Sequence, residues 1–290
     1  MWDEIAAHIS RSIGAPFTIA ATNYVGGGSI NRACQVIGDD RQFFVKTNTA
    51  AQVGMFEVEA IALEQMHATN TILVPKPICW GTAAGSSYFV AEWLELTRSQ
   101  DWSAMGHKLA AMHRVTSSKG FGWDRQNVIG ATPQVNTWES DWVEFYSKHR
   151  LQFQLKLARR NGFSCRISEQ ELLDAVPKFF ETYQPQPAMV HGDLWSGNLS
   201  FAIVNGKTEP AIFDPALYYG DREVDIAMTE LFGSPPASFY QAYNQSFPLD
   251  PGYQKRKTLY NLYHILNHFN LFGAGYGSQA QRMIEQVCRM

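Results

Sequence analysis

An α+β fold in two lobes, a small antiparallel-sheet N-lobe followed by a mostly helical C-lobe, is predicted by three observations. Strand-like runs joined by short glycine turns crowd the first third of the chain around a single long helical segment. Beyond Leu96 apolar residues recur at helical spacing instead. The 290 residues, 45% hydrophobic and 18% charged, are enough for a sizeable core with the ordinary composition of a globular protein.

In order, 2–13 reads as a short helix, apolar at 2, 5, 6, 9 and 13 and stopped by Gly14-Ala15-Pro16. Strands are expected at 17–25, 30–37 and 42–46, the first two joined by Gly26-Gly27-Gly28 and the last two by Gly38-Asp39-Asp40. A helix follows at 53–68. Pro75-Lys76-Pro77 breaks the chain before strands at 78–82 and 87–94. The lobe boundary is placed there, giving 1–94 as a nucleotide-binding lobe and 95–290 as a catalytic and substrate-binding lobe. Helices are expected at 101–115, 139–161, 168–182, 221–232, 238–245 and 252–272, with a long loop over 120–138. A short strand at 188–191 and a hairpin, 199–204 with 210–213 over Asn205-Gly206, complete the pattern.

The strongest local signal is Val190-His191-Gly192-Asp193-Leu194-Trp195-Ser196-Gly197-Asn198, followed a hairpin later by Ile212-Phe213-Asp214-Pro215. Asp-x-x-x-x-Asn and then an Asp at a strand end is the spacing of a kinase-type catalytic loop and its metal ligand. Asp193 is the candidate base that orients an attacking hydroxyl. Asn198 and Asp214 offer a neutral and a charged oxygen to Mg²⁺. Phe43-Phe44-Val45-Lys46 ends a strand in a lysine suited to hold nucleotide phosphates. The next helix carries Glu57 and Glu59, either of which is placed to pair with it. Gly26-Gly27-Gly28-Ser29 is a hairpin tip whose backbone N–H groups suit phosphate oxygens, a weak signal taken alone. Tyr88–Leu94 ends in the kind of segment where a hinge presents backbone groups to adenine. The ordered set predicts a protein-kinase-like bilobal fold that uses ATP. Asp225 opens a helix after the metal segment; it reads equally as a bond acceptor for the catalytic loop or as a carboxylate favoured by the helix dipole.

A formal charge of −3 gives no reason to expect nucleic-acid or anionic-membrane binding, and no window reaches the ~18 apolar residues of a membrane span. Four dispersed cysteines without a Cys-x-x-Cys pair fit reduced thiols. A start without a basic or apolar leader fits a cytoplasmic protein.

The chain resembles the fructosamine kinase (ketosamine kinase) family, a branch of the aminoglycoside-phosphotransferase and choline-kinase-like fold. The matching segments are Gly26–Asn31, Phe44-Val45-Lys46, Met55–Glu59, Pro133–Trp138, His191–Asn198, Phe213–Ala216 and Asn267–Asn270. The resemblance implies ATP- and Mg²⁺-dependent phosphorylation of the 3-hydroxyl of ketosamines, on free amines, on lysine or on glycated protein, as a deglycation repair. It makes Glu59 the partner of Lys46, places Gly27, Gly28 and Ser29 at the phosphates, and makes Glu92, Trp93 and Leu94 the adenine hinge. It puts Trp195, Asn136 and Trp138 against the ketosamine. Several members carry a cysteine in the glycine loop where this chain has Ser29, so redox pairing there is not expected.

Overall fold

The computed structural model describes residues 1–26, 30–38 and 40–290; the glycine-loop positions Gly27, Gly28 and Ser29 and the turn residue Asp39 lie outside them. In chain order the helices and strands are α1 (Trp2–Ile13), β1 (Ala21–Val25), β2 (Arg32–Ile37), β3 (Gln42–Thr49), α2 (Val53–Ala68), β4 (Pro77–Ala83) and β5 (Ser86–Glu92). Then come α3 (Trp102–Met112), β6 (Asn127–Ile129), β7 (Thr132–Gln134), α4 (Trp142–Phe145), α5 (Phe153–Arg160), α6 (Glu169–Ala175), β8 (Ala188–Val190), β9 (Leu199–Val204) and β10 (Lys207–Ile212). The chain ends with β11 (Tyr218–Gly220), α7 (Glu223–Thr229), α8 (Ala237–Ser246), α9 (Tyr253–Phe272) and α10 (Gly277–Arg289). By contacts it divides into two compact units, 1–101 with 200–215, and 102–199 with 216–290.

The first unit is built on an antiparallel sheet ordered β1-β2-β3-β5-β4. Strand alternation sends Val36, Val45 and Val90 to one face, where they bury Ile5 and Ile9 of α1 together with Phe17 and Phe43. Phe17 packs edge-on against Phe43 but lies outside β1, which starts at Ala21 rather than at 17. Lys46 points to the other face of β3, next to Phe89 of β5, which stacks on Phe56 of α2. The β9–β10 hairpin turns at Asn205-Gly206 with φ of 51° and 75°, as that dipeptide favours. Ile212 N–H donates to the carbonyl of Leu73 at 3.0 Å and pins the hairpin's second strand within this unit.

The second unit is mostly helical. The segment expected as one helix over 139–161 is helical but passes through a π-helical stretch, Tyr146–Gln152, between α4 and α5. The long loop contains a short hairpin, β6 with β7. Strand β11, absent from the sequence reading, pairs antiparallel with β8 and flanks the catalytic loop. Helix α10 was also missed, although Ala280, Ile284 and Val287 form its buried stripe. Among the described residues no helix is long and apolar enough to cross a membrane.

Helix α9 is central to this unit and buries polar residues along its length, which makes stability depend on pH. His264 is buried and its Nδ1 has no partner among the described residues. Burial first, then the neighbouring His268 and Arg150, depress it to about 3, well below the ordinary 6.5. The folded protein therefore binds fewer protons than the unfolded chain between those values. The neutral ring's contribution is complete above pH 6.5 and lost progressively as pH falls toward 3, by about 2 kcal/mol at pH 5. Urea denaturation at pH 7.5 and pH 5 should show His264→Phe losing less stability than the parent on acidification, by about that amount. Equal losses would mean that His264 does not carry the effect.

Candidate active site

In the first unit three side chains form one ionic cluster. Lys46 Nζ donates to Glu59 Oε1 at 2.7 Å and to Asp214 Oδ1 at 2.6 Å. Burial opposes a charge on Lys46, but Asp214 and then Glu59 outweigh it and raise the ammonium above its ordinary value. Burial pushes the Glu59 carboxyl up while Lys46 pulls it back. Glu59, not Glu57, faces the lysine. Asp214 sits just past β10 in the left-handed region at φ 54°, unusual for a residue other than glycine and a mark of a constrained position. Its side chain is about half exposed (53%), whereas that of Lys46 is buried at 7%. The lysine is thus fixed from behind by a carboxylate only 12% exposed, and the second carboxylate remains open to a ligand.

The hinge segment follows β5 in the same unit. Glu92 N–H is spent on the carbonyl of Lys76 at 2.8 Å, and the chain is tied again only at Glu95, whose carbonyl accepts from Ile203. The main-chain groups of Trp93 and Leu94 have no main-chain partner among the described residues, which leaves them available to the edge of a purine. The indole Nε1 of Trp93 is buried without a partner there too.

In the second unit the catalytic loop leaves β8 through Gly192. Its φ is 82°, and a Cβ there would lie 2.2 Å from the carbonyl oxygen of Ala216, so only glycine fits. Ala216 N–H donates to His191 O at 2.8 Å, and β11 pairs with β8 just beyond. Asp225, near the start of α7, settles the ambiguity left by the sequence. Its two carboxylate oxygens accept from His191 N–H at 2.6 Å and from Gly192 N–H at 2.9 Å. Burial would raise its carboxyl, but His113, His191 and the Gly192 N–H hold it below the ordinary range.

The proton arrangement behind Asp225 follows from the bonds. Arg222 Nη1 donates to Tyr243 Oη at 3.0 Å, and that hydroxyl shares a hydrogen bond with His113 Nδ1 at 2.7 Å. An ionised Asp225 can only accept, so His113 Nε2–H donates to it at 3.1 Å. The loop's backbone is held by a buried chain of polar side chains, of which the sequence singled out only Asp225.

Asp193 itself is half-buried. Its N–H donates to His191 Nδ1 at 3.2 Å, and its carbonyl accepts from Asn198 Nδ2 at 2.8 Å and from Trp195 N–H at 3.1 Å. The bond from Nδ2 orients the Asn198 amide and leaves Oδ1, the atom a hard cation takes, as its acceptor end. Trp195 is 38% exposed and its ring lies over Gly197, where a Cβ would meet it at 2.2 Å.

The residues over 133–138 behave differently from one another. Asn136 is fully buried. Its Nδ2 donates to the carbonyl of Arg125 and to Asn127 Oδ1, and its Oδ1 accepts from Arg150 Nη2 at 2.8 Å. With both ends of the amide spent inside, it shapes the loop, a departure from the ligand contact that the resemblance implied. Trp138 is partly exposed, bonded through Nε1 to Asp124 at 3.0 Å and stacked on Tyr219. Arg150, in the π-helical stretch, has no carboxylate partner among the described residues. It is sandwiched against Tyr218 (4.1 Å) and Phe145 (4.6 Å) and donates to the carbonyl of Val135. Nothing in the sequence marked it, since a lone arginine in a helical run reads as surface.

These residues fit a metal-bound nucleotide. Among the described residues no group of three or more His, Cys, Asp and Glu side chains forms a cage for a cation. The first unit offers the half-exposed carboxylate of Asp214 and the second the amide oxygen of Asn198, each by itself a hard oxygen donor of the kind Mg²⁺ takes while keeping waters and phosphate oxygens in its shell.

A two-lobed α+β chain with a strand lysine held by a helix glutamate and a catalytic loop of this spacing belongs to the phosphotransferases of protein-kinase-like fold. The fructosamine kinase family model matches residues 1–290, and the chain belongs to that family. It is 51% identical over 291 residues to a "Probable ketoamine kinase" of Synechocystis sp., covering 100% of this chain and 97% of the relative. It is 46% identical over 277 residues to a "Protein-ribulosamine 3-kinase, chloroplastic" of Oryza sativa subsp. japonica, covering 94% and 80%. A crystal structure from Haemophilus somnus 129PT described as a "Putative fructosamine-3-kinase" superposes with a TM-score of 0.89 at 30% identity, covering 99% of this chain and 97% of the other. An aminoglycoside phosphotransferase, at 14% identity, TM-score 0.59 and 100% and 99% coverage, shares the fold.

Proposed function

We propose that the chain is an ATP-dependent ketosamine kinase that phosphorylates the sugar 3-hydroxyl of fructosamines or ribulosamines and so starts the removal of the sugar from a glycated amine. Membership of the family, with 51% and 46% identity to relatives named for ketoamine and ribulosamine phosphorylation, supports the substrate class. The observation that carries the reaction type is the buried Lys46 held between Glu59 and Asp214. A fixed cation of this kind stabilises charge during phosphoryl transfer without reorganising.

ATP, when bound, supplies the phosphoryl group, and Mg²⁺ neutralises charge on its phosphate oxygens. Lys46, oriented by Glu59, holds the phosphates, and Asn198 and Asp214 are the oxygen ligands assigned to the cation. Main-chain groups at Glu92, Trp93 and Leu94 take the adenine. Gly27, Gly28 and Ser29 keep their assignment to the phosphates from the sequence alone. Asp193 orients the acceptor hydroxyl and accepts its proton as the new P–O bond forms. Trp195 and Trp138 offer aromatic faces to the acceptor.

The test is ADP release with ribulose-modified and fructose-modified lysine beside choline and an aminoglycoside. Turnover of a ketosamine with little or none of the others is expected. Turnover of choline or the aminoglycoside alone would replace the acceptor, and ATP binding without turnover of any would make the chain a regulator.

A further inference from the structure

Arg150 is fully buried, and the roles above leave it unused. A guanidinium out of water without a carboxylate is costly, and an apolar side chain of its volume would fill the place between Phe145 and Tyr218 at less cost. The π-helical stretch that carries it is itself a rare conformation, of a kind concentrated at functional sites.

The guanidinium closes a buried set of amides. Its Nη1 donates to the carbonyl of Val135 and its Nη2 to Asn136 Oδ1 at 2.8 Å. Asn136 Nδ2 donates to Asn127 Oδ1 at 2.7 Å, and Gln134 Nε2 donates to the same oxygen at 2.9 Å. Gln134 Nε2 also donates to the carbonyl of Ala216 at 3.0 Å, and Asn127 Nδ2 donates to that of Leu217 at 2.9 Å. Gln134 Oε1 accepts from the Tyr263 hydroxyl at 2.8 Å. Each amide nitrogen and oxygen of Asn127, Gln134 and Asn136 thus has a partner. Side chains bonded in this way do not shift singly, because moving one strands a buried donor or acceptor on the next.

The set has two ends, both in the second unit. At one end Asn136 stands two residues before Trp138, whose ring stacks on Tyr219, the neighbour of the Tyr218 on which Arg150 lies. At the other end the Ala216 carbonyl lies against Gly192, and Ala216 N–H donates to His191 O at 2.8 Å. Asp193 follows directly in the chain.

We propose that Arg150 is a positioning residue for phosphoryl transfer. Through Asn136, Asn127 and Gln134 it holds the loop that carries Trp138 in fixed relation to the backbone that carries Asp193, so that the acceptor hydroxyl meets its base. The inference rests on the ketosamine kinase reading, which makes Asp193 the base and Trp138 part of the acceptor's wall.

The experiment measures kcat and both KM values with a ketosamine, well below the melting temperature and corrected for the folded fraction. Arg150→Met keeps the bulk and should lower kcat by about 10²-fold, the cost of a misplacement of about 1 Å, with the KM for ATP unchanged. Arg150→Lys keeps the charge but not the fork that reaches two oxygens, and should still lose about tenfold or more. Asn136→Ala cuts the same joint from its other side. Arg150→Met/Asn136→Ala should therefore be no slower than the slower single variant, because coupled residues are not additive. A kcat for Arg150→Lys within about threefold of the parent, or losses that multiply in the double variant, overturns the proposal. So does a loss that vanishes on correction for the folded fraction, which would leave Arg150 a purely structural residue. If the Arg150 variants do not fold, Asn136→Ala carries the test alone, and a kcat near that of the parent overturns the joint. Failure of the parent to turn over any ketosamine overturns the ketosamine reading, and this role with it.

Discussion

Asp193→Asn should lower kcat with a ketosamine by about 10³-fold, within the 10²–10⁴ that a positioned general base contributes. The substitution keeps the shape and removes only the proton acceptor. The loop's own bonds at this position, from Asp193 N–H to His191 and from Asn198 and Trp195 to Asp193 O, are main-chain bonds on the Asp193 side and survive. Asp225 still holds His191 and Gly192 from behind. Thermal unfolding should therefore move by no more than a couple of degrees, and nucleotide affinity, which depends on Lys46 and the hinge, should be retained. Steady-state kinetics with both substrates, nucleotide titration and a melting curve check the three parts. A kcat within tenfold of the parent would remove Asp193 as the base.

The catalytic loop was legible because its geometry is local. Gly192 admits no side chain, and Asn198 folds back on Asp193 within a few residues, so the spacing of the residue types already specifies the turn. The choice between Glu57 and Glu59 was not legible from the residues, because the two point to opposite sides of a helix and only the docking of α2 on the sheet decides which meets Lys46. Family resemblance chose Glu59, and the 2.7 Å pair agrees. Buried polar partners were the least legible part. Arg150, His113 and the inner role of Asn136 depend on contacts across more than a hundred residues or on a sealed loop, and a polar residue in an amphipathic run gives no sign of which way it faces. Three-residue strands such as β11 carry no period to read, whereas α10 has one in Ala280, Ile284 and Val287 and was lost by stopping at Gly273.

Lys46→Met should separate the catalytic use of the ionic cluster from its structural use. Activity should fall by about 10³-fold through loss of preorganised positive charge at the phosphates. Stability should fall as well, because Glu59 is then left unpaired in a buried site with Asp214 as a like-charged neighbour. Removing one partner of a buried pair costs about 3–5 kcal/mol; the half-exposed Asp214 brings the expectation to the lower end of that range. With the lysine gone, burial and Asp214 both raise the folded-state pKa of Glu59 above its unfolded value near 4.5. The folded variant then binds more protons than the unfolded chain, so its deficit grows as pH rises above about 4.5 and shrinks toward acid. Lys46→Met/Glu59→Gln removes the stranded charge and should recover most of the stability at pH 7.5 while recovering none of the activity. A stability cycle in urea, run beside ATP-dependent turnover, reads both quantities. If the double variant were no more stable than Lys46→Met, the ion pair would not be what holds Lys46 in the sheet, and the packing of Phe56 on Phe89 beside it would have to carry that role.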